Sequence, residues 1–436
     1  MAFSLHGTKV PHRKNTHDMP SIRMPIPATV TVPMSMHIGA PCTPVVKAGD
    51  KVCVGTLIGE AGGYVSAPIY SGVSGTVKKI DEILSSNGAL TKAVVIETDG
   101  EQTVDESVKA PVITNREEFL EAVKKSGIVG LGGAGFPTYV KLNVAPGAVK
   151  EIVINCAECE PYITSDNCTM LERKDDMAYG IYLLKKYICP ERIILAVESN
   201  KPEAIEAMKQ VASQHDGVSV KVLPSVYPQG GEKVILYHTV GKVVPAGELP
   251  VDVGAIVTNC TTLAEIGKYA LTGMPLVEKC ITVDGSAVAT PKNVIVPVGT
   301  SMQDVFDFCG GLSEDVGKVF YGGPMMGITV PDTSAPIMKT TNAIIALTEK
   351  DAYIPEAQPC IKCGRCINVC PFGINPPLIA KAFKNGNAEE LEKLGTNVCM
   401  ECGCCQYVCP VHRPIVQNNK LAKAFIKERK AKEASK

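Results

Sequence analysis

The stretch whose reading decides the fold is "GIVGLGGAGFPTYVKL", residues 127–142. Gly130, Gly132 and Gly135 spell G-x-G-x-x-G, the pattern of a dinucleotide-binding turn. In that turn the glycines follow a strand and open a helix. Here they follow "REEFLEAVKKSG", an amphipathic helix pattern with Phe119, Leu120 and Val123 on one side and Gly127 as its expected cap. The strand-like run "EIVINC" comes only afterwards. The Rossmann reading therefore fails on context. The physical use of the glycines, Gly133 included, survives, because closely spaced glycines let backbone N–H groups approach phosphate oxygens. Pro137 suits the first turn of a helix whose N-terminus faces an anion, and Lys141 supplies a cation four residues on. A glycine-rich turn without a ligand fits the same letters.

Downstream, "EIVINC", "RIILAVE", "VSVKVLP" and "GAIVTNC" read as strands. "MAYGIYLLKKYIC", "KPEAIEAMKQVAS" and "LAEIGKYALTG" read as helices between or after them. Alternation of this kind implies an α/β layer with a mainly parallel sheet. "NCAECEPYITSD" places Glu158 and Glu160 just after a strand, where α/β folds hold ligands. Two acids beside a phosphate loop suit ribose hydroxyls or an amide. Cys156 and Cys159 form a C-x2-C with no second pair, which favours free thiols.

Upstream, from Ala28 to about Asp99, short β-rich runs separated by Gly, Pro and Asn resemble a lipoyl- or biotinyl-type barrel sandwich. No lysine occurs between Val52 and Val77, so a swinging arm is not expected. Residues 276–347 carry short strands and one helix, "SMQDVFDFCGGL", the outline of a small β-grasp module. The final "KLAKAFIKERKAKEASK" reads as a basic helix or tail with a solvated face.

The C-terminal cysteines carry the most specific signal. "CIKCGRCINVCP" sets Cys360, Cys363, Cys366 and Cys370 as C-x2-C-x2-C-x3-C-P, and "CMECGCCQYVCP" repeats it with Cys399, Cys402, Cys405 and Cys409. This is the bacterial two-cluster ferredoxin arrangement, in which the fourth cysteine of each run serves the other cluster. One [4Fe-4S] cluster is expected on Cys360, Cys363, Cys366 and Cys409, the other on Cys399, Cys402, Cys405 and Cys370. Structural zinc prefers separated C-x2-C pairs over such triplets. Cys404 is out of register and is not expected to be a ligand. The chain has 436 residues, 45% of them hydrophobic, and a formal net charge of -1, which gives no bias toward nucleic acid. Residues 1–18 lack an apolar signal core, and no run is long enough to span a membrane.

Taken in order, "GLGGAGFPTYVKL", "ECEPYITSD", "YPQGGEK" and "NCTTLAEI" resemble the RnfC family, the NAD-terminal component of the Rnf ferredoxin:NAD oxidoreductase complex, over nearly the whole chain. The α/β part is also similar to the NADH-binding flavoprotein subunit of respiratory complex I. The resemblance implies an α/β and β multidomain chain: a barrel-sandwich domain over 1–110, an FMN/NADH-binding α/β domain over 111–275, a β-grasp (SLBB-like) module over 276–350, and a helical two-[4Fe-4S] domain over 351–436. By motif it implies FMN and NAD(H) held by Gly130, Gly132, Gly133, Gly135, Lys141, Glu158, Glu160, Asn259 and Glu232, with no acid–base dyad. It implies other Rnf subunits as partners, ferredoxin as an indirect one, ion transport by membrane subunits, and a peripheral place on the cytoplasmic face of the cell membrane. Two departures stand out. Ala157 replaces an acidic residue of the complex I flavoprotein, and that protein has one C-terminal cluster where two cassettes occur here. A cobalamin-reductase flavoprotein shares the glycine motif and two cassettes, but its barrel-like domain follows the flavin domain. A non-enzymatic electron-transfer scaffold would need only the cassettes.

Overall fold

In the computed structural model, residues 6–85 and 88–434 are described, and the region after the glycine stretch forms the expected α/β layer. Strands Glu151–Cys156, Arg192–Glu198, Val218–Leu223 and Ala255–Asn259 run parallel in the spatial order third, second, first, fourth. The first, second and fourth of these strands are β-branched runs buried almost throughout, so helices must cover both faces. Lys174–Tyr187, Pro202–Ser213 and Cys260–Thr272 cover one face with Ile181, Leu184, Met208, Val211, Leu263 and Ile266, and Glu232–Val240 covers the other with Ile235 and Leu236. Chain order reverses direction between the first and fourth strands. Such a switch point opens a crevice beyond the carboxyl ends of the strands. Asn155 and Asn259 are register partners at that edge.

Before this layer stand two small sheets, one of Thr29–Pro33, Leu90–Thr98, Gly75–Leu84 and Lys51–Val52, the other of Thr43–Pro44, Leu57–Glu60 and Ile69–Tyr70. Their inward residues, among them Val30, Val32, Ile58, Ile69, Val94 and Ile96, make one core, as the barrel-sandwich reading requires. After the α/β layer comes a six-stranded sheet with the helix Met302–Phe308, capped by Ser301. Its edge strand, Ser21–Arg23, comes from the other end of the chain and pairs parallel with Lys292–Pro297. Within the stretch expected to belong to the barrel domain, residues 6–24 reach the α/β and β-grasp modules. The exposed sheet edge supplies the unpaired backbone groups that recruit them.

The basic C-terminal segment is helical, with residues 427–433 exposed. It forms the helix Ile415–Ala434, and Ala422, Ile426 and Phe425 pack on the helices Pro376–Lys384 and Ala388–Lys393. Residues 1–5 and 435–436, which the sequence reading included at its ends, lie outside the described residues. Among the described residues no helix is long and apolar enough to cross a membrane.

Candidate functional site

The glycine stretch closes on itself. Val129 bridges Pro137, and Gly130 N–H donates to Phe136 O at 2.9 Å, so residues 131–135 bulge outward as a tight loop. Leu131 anchors the bulge: its side chain is buried and its N–H donates to Thr262 Oγ1 at 3.0 Å. Beyond it, the N–H groups of Gly132, Gly133 and Ala134 donate to no acceptor among the described residues, and all three residues are exposed. Gly132 lies so close to Asn259 that a Cβ would stand 2.6 Å from Nδ2. Gly135, at φ +72°, carries the loop past Thr340 and His37 with no room for a side chain. Gly133 differs from both, because a Cβ there meets nothing within 4 Å. The loop therefore offers a row of free donors beside open space, a geometry that fits a phosphate group.

Pro137 is not inside a helix turn as the sequence suggested. It is the N-cap of Thr138–Leu142, a helix of five residues, too short for its dipole to hold an anion. The cation comes instead from Lys141, whose Nζ donates to Glu232 Oε1 at 2.8 Å and to Val257 O at 2.9 Å. Two residues singled out by sequence thus meet across 91 positions. The barrel also reaches this helix: Tyr64, on the hairpin where a carrier domain would bear its lysine, packs edge-on to Tyr139 with centroids 5.9 Å apart.

Asn259 caps the helix Cys260–Thr272 by accepting from Thr261 N and Thr262 N, and its Nδ2 donates to Asp166 Oδ2 at 2.7 Å. Asp166 N–H in turn donates to Glu158 Oε1 at 2.7 Å, and Glu158 Oε2 pairs with the buried Lys201 at 2.5 Å. A continuous polar chain therefore runs from the glycine loop to Glu158. Glu160 is not part of it. Its carboxylate accepts from the N–H groups of Met325 and Met326 at 3.1 and 2.8 Å, tying the α/β layer to the β-grasp module. Gly323 makes room for it, since a Cβ there would sit 2.3 Å from Oε2. Burial lifts Glu160 to about 7, against the pull of those two N–H donors. The sequence suited both glutamates to ribose hydroxyls or an amide; the structure also gives each a protein partner.

Sequence reasoning missed two residues. Asn155, next to last in the first strand of the parallel sheet, donates to Gly230 O at 2.8 Å; a polar residue near the end of an apolar run was the available signal. Lys14 had no local signal. All three of its donors reach into the turn after that strand, to Glu158 O at 2.9 Å, Glu160 O at 3.0 Å and Ile163 O at 2.5 Å. Cys156 is buried in the core, and Cys159 Sγ accepts from Gly230 N at 3.4 Å.

The cassettes repeat in space as in sequence. Lys362 and Glu401 share φ near +60°, and Gly364 and Gly403 precede the one-turn helices Arg365–Asn368 and Cys404–Tyr407. Cys399, Cys402 and Cys405 line one pocket, and its remaining cysteine neighbour in cluster register is Cys370 of the other cassette. Four thiols converging on one pocket is the arrangement an iron–sulfur cluster needs. The second cassette lies against the rest of the chain: Tyr227 OH donates to Cys402 O at 2.6 Å, Cys404 Sγ points to Tyr227 O, and Met400 covers Gly231.

A glycine loop of free N–H groups at the switch point of a parallel sheet, joined through Tyr227 to paired cysteine cassettes, has the make-up of an electron-transferring iron–sulfur flavoprotein. Family models agree along the chain: the RnfC barrel sandwich hybrid domain over residues 3–101, the Nuo51 FMN-binding domain over 123–268, the SLBB domain over 280–329 and the 4Fe-4S dicluster domain over 352–410. The chain is 42% identical over 381 residues to the RnfC component of the Na(+)-translocating ferredoxin:NAD(+) oxidoreductase complex of Acetobacterium woodii, covering 86% of each chain. It is 40% identical over 376 residues to the corresponding component of the proton-translocating complex of Clostridium ljungdahlii, covering 84% of this chain and 81% of that one. It is 36% identical over 440 residues to its counterpart in the ion-translocating oxidoreductase complex of Rhodobacter capsulatus, covering 99% and 85%. The chain belongs to the RnfC family of ion-translocating ferredoxin:NAD(+) oxidoreductase complexes.

Proposed function

We propose that the chain passes electrons between its two [4Fe-4S] clusters, FMN and NAD(H) as the NAD-terminal subunit of an ion-translocating ferredoxin:NAD oxidoreductase, peripheral on the cytoplasmic face of the membrane. FMN, when bound, supplies the exchange between two-electron nicotinamide chemistry and one-electron cluster chemistry. The observation that carries the reading is the row of unpaired N–H groups at Gly132, Gly133 and Ala134 beside open space.

In this reading those groups bind the flavin phosphate, while Gly130 and Gly135 shape the loop. Lys141 has three donors and spends two on Glu232 and Val257 O, which leaves one for the phosphate. Glu232 holds that ammonium in place. Asn259, with Asn155 beside it, borders the cofactor at the strand ends. Glu158 and Glu160 frame the nicotinamide side, and each carboxylate keeps acceptor capacity beyond the bonds it makes. The clusters sit on Cys360, Cys363, Cys366 and Cys409, and on Cys399, Cys402, Cys405 and Cys370. No side chain needs to act as acid or base.

Gly133→Val tests the cradle. Because the position faces open space, the variant should fold and keep its iron while its flavin content falls. Full flavin with normal bleaching by NADH would make the loop a structural turn.

A further inference from the structure

We infer that Tyr64, at the tip of the barrel's central hairpin, recognises the adenine ring of NAD(H). The inference rests on the reading that the glycine loop cradles a flavin that NADH reduces. In a carrier domain this hairpin would present a modifiable lysine. None occurs between Val52 and Val77, and Tyr64 stands at the tip instead, 61% exposed.

The barrel walls one side of the glycine loop. Ile38 N–H donates to Gly135 O at 3.2 Å, and a Cβ on Gly135 would lie 3.3 Å from His37 Cα. The strand ends wall the other side, where a Cβ on Gly132 would stand 2.6 Å from Asn259 Nδ2. The free donors of Gly132, Gly133 and Ala134 lie between these two walls. NAD(H) is two nucleotides joined by a diphosphate, and only its nicotinamide half has to reach the flavin. The flavin ring belongs in the crevice beyond the strand ends. That leaves the barrel side of the loop for the adenine half.

Tyr64 suits that half. Its carbonyl accepts from Tyr139 Oη, its hydroxyl accepts from Asn143 Nδ2 at 3.2 Å, and its ring meets that of Tyr139 edge-on with centroids 5.9 Å apart. Tyr139 lies in the short helix that carries Lys141, and Asn143 ends it. Beneath the tip, a Cβ on Gly62 would stand 2.2 Å from Pro41 O, so the hairpin lies flat against the chain below it. A ring held in this way loses little freedom when a ligand binds. Every base offers a π-face, and stacking on an aromatic side chain needs no other matched group. Ile38, 47% exposed, and the half-buried Phe136 extend the apolar surface at the end of the loop.

The test separates the two halves of the nucleotide. Wild type, Tyr64→Ala and Tyr64→Phe would be purified anaerobically and assayed for flavin and iron. Flavin bleaching would be titrated with NADH and with reduced nicotinamide mononucleotide, which lacks the adenylate half. Binding of ADP-ribose, which lacks the nicotinamide, would be measured by calorimetry. The expected result is that Tyr64→Ala weakens NADH and ADP-ribose about tenfold while the mononucleotide titration, flavin and iron stay as in wild type, and that Tyr64→Phe stays within about twofold of wild type throughout. NADH affinity unmoved in Tyr64→Ala would overturn the inference. So would equal losses for NADH and the mononucleotide, or a loss in Tyr64→Phe as large as in Tyr64→Ala, since either makes Tyr64 an anchor of the helix Thr138–Leu142 and not a stacking partner. Failure of NADH to bleach wild type would instead sink the flavin reading. ADP-ribose would then decide the role of Tyr64 alone: no binding to wild type, or equal binding to Tyr64→Ala, overturns it.

Discussion

Residues 360–371 and 399–410 follow the same backbone path. Lys362 and Glu401 occupy the left-handed region at +56° and +61°, and Gly364 and Gly403 do so at +76° and +84°. What differs is the company each keeps. Cys404 stands where the first cassette has Arg365, and it is buried with its thiol toward Tyr227 O. Met400 stands where the first cassette has Ile361 and lies on Gly231. The lesson is that ligand spacing sets the cluster site, while the residues between the ligands decide which way it faces. An exposed arginine and isoleucine turn one site outward; a small thiol and a flexible methionine let the other dock.

The largest effect that can break this comparison comes from the ligand crossover. Cys370→Ser should remove the cluster of the second cassette, the one distant in sequence, and about half of roughly eight irons with it. Iron analysis and low-temperature EPR would show this. Loss of the exposed cluster instead would invert the pairing.

Next comes the exchange of interligand residues. Cys404→Arg drives a guanidinium into the buried contact with Tyr227 and should cost about 3 kcal/mol or more, because a thiol-sized space must take a far larger side chain and strip its water. Arg365→Cys should leave stability nearly unchanged. Thermal unfolding of the two variants side by side measures the asymmetry; equal losses would mean the cassettes are not distinguished by burial.

Glu160 sharpens the picture at the same junction. Its folded value is raised, to about 7, so its contribution is present below its unfolded value near 4.5 and is lost as pH rises through about 7. Wild type should therefore lose on the order of 2–3 kcal/mol relative to Glu160→Gln between pH 5 and pH 8. Denaturant midpoints across that range would test this, and parallel curves would show that Glu160 does not titrate there.

The smallest effect concerns Lys14. Lys14→Met leaves the carbonyls of Glu158, Glu160 and Ile163 without their donor. The turn should loosen, raising KM for NADH about tenfold, the equivalent of about 1.4 kcal/mol. Iron and flavin content should stay, and Lys14→Arg should recover part of the loss. An unchanged KM would mean the turn holds its shape without the strap.

Much of this molecule was legible from sequence. Local rules suffice for the parallel sheet, because β-branched runs between amphipathic helices have few other ways to bury both faces. They suffice for the cassettes, whose short loops dictate their own geometry. They also excluded the Rossmann turn, since a helix precedes Gly130, and they picked out Lys141, whereas Glu232 and Asn259 came only from the family resemblance. What sequence could not supply is every feature made by residues far apart in the chain. Ser21–Arg23 joins a sheet about 270 residues away, Lys14 enters a turn 144 residues away, and Glu160 closes on a loop 165 residues away. None of these leaves a periodic or compositional trace, because a single hydrogen-bonding side chain satisfies a distant backbone as readily as water. The outward and inward cassettes carry nearly the same letters. Which one is covered was decided only when the loops around Tyr227 and Met325 folded against Cys402 and Gly403, where burial of a few side chains outweighs the local pattern the two cassettes share.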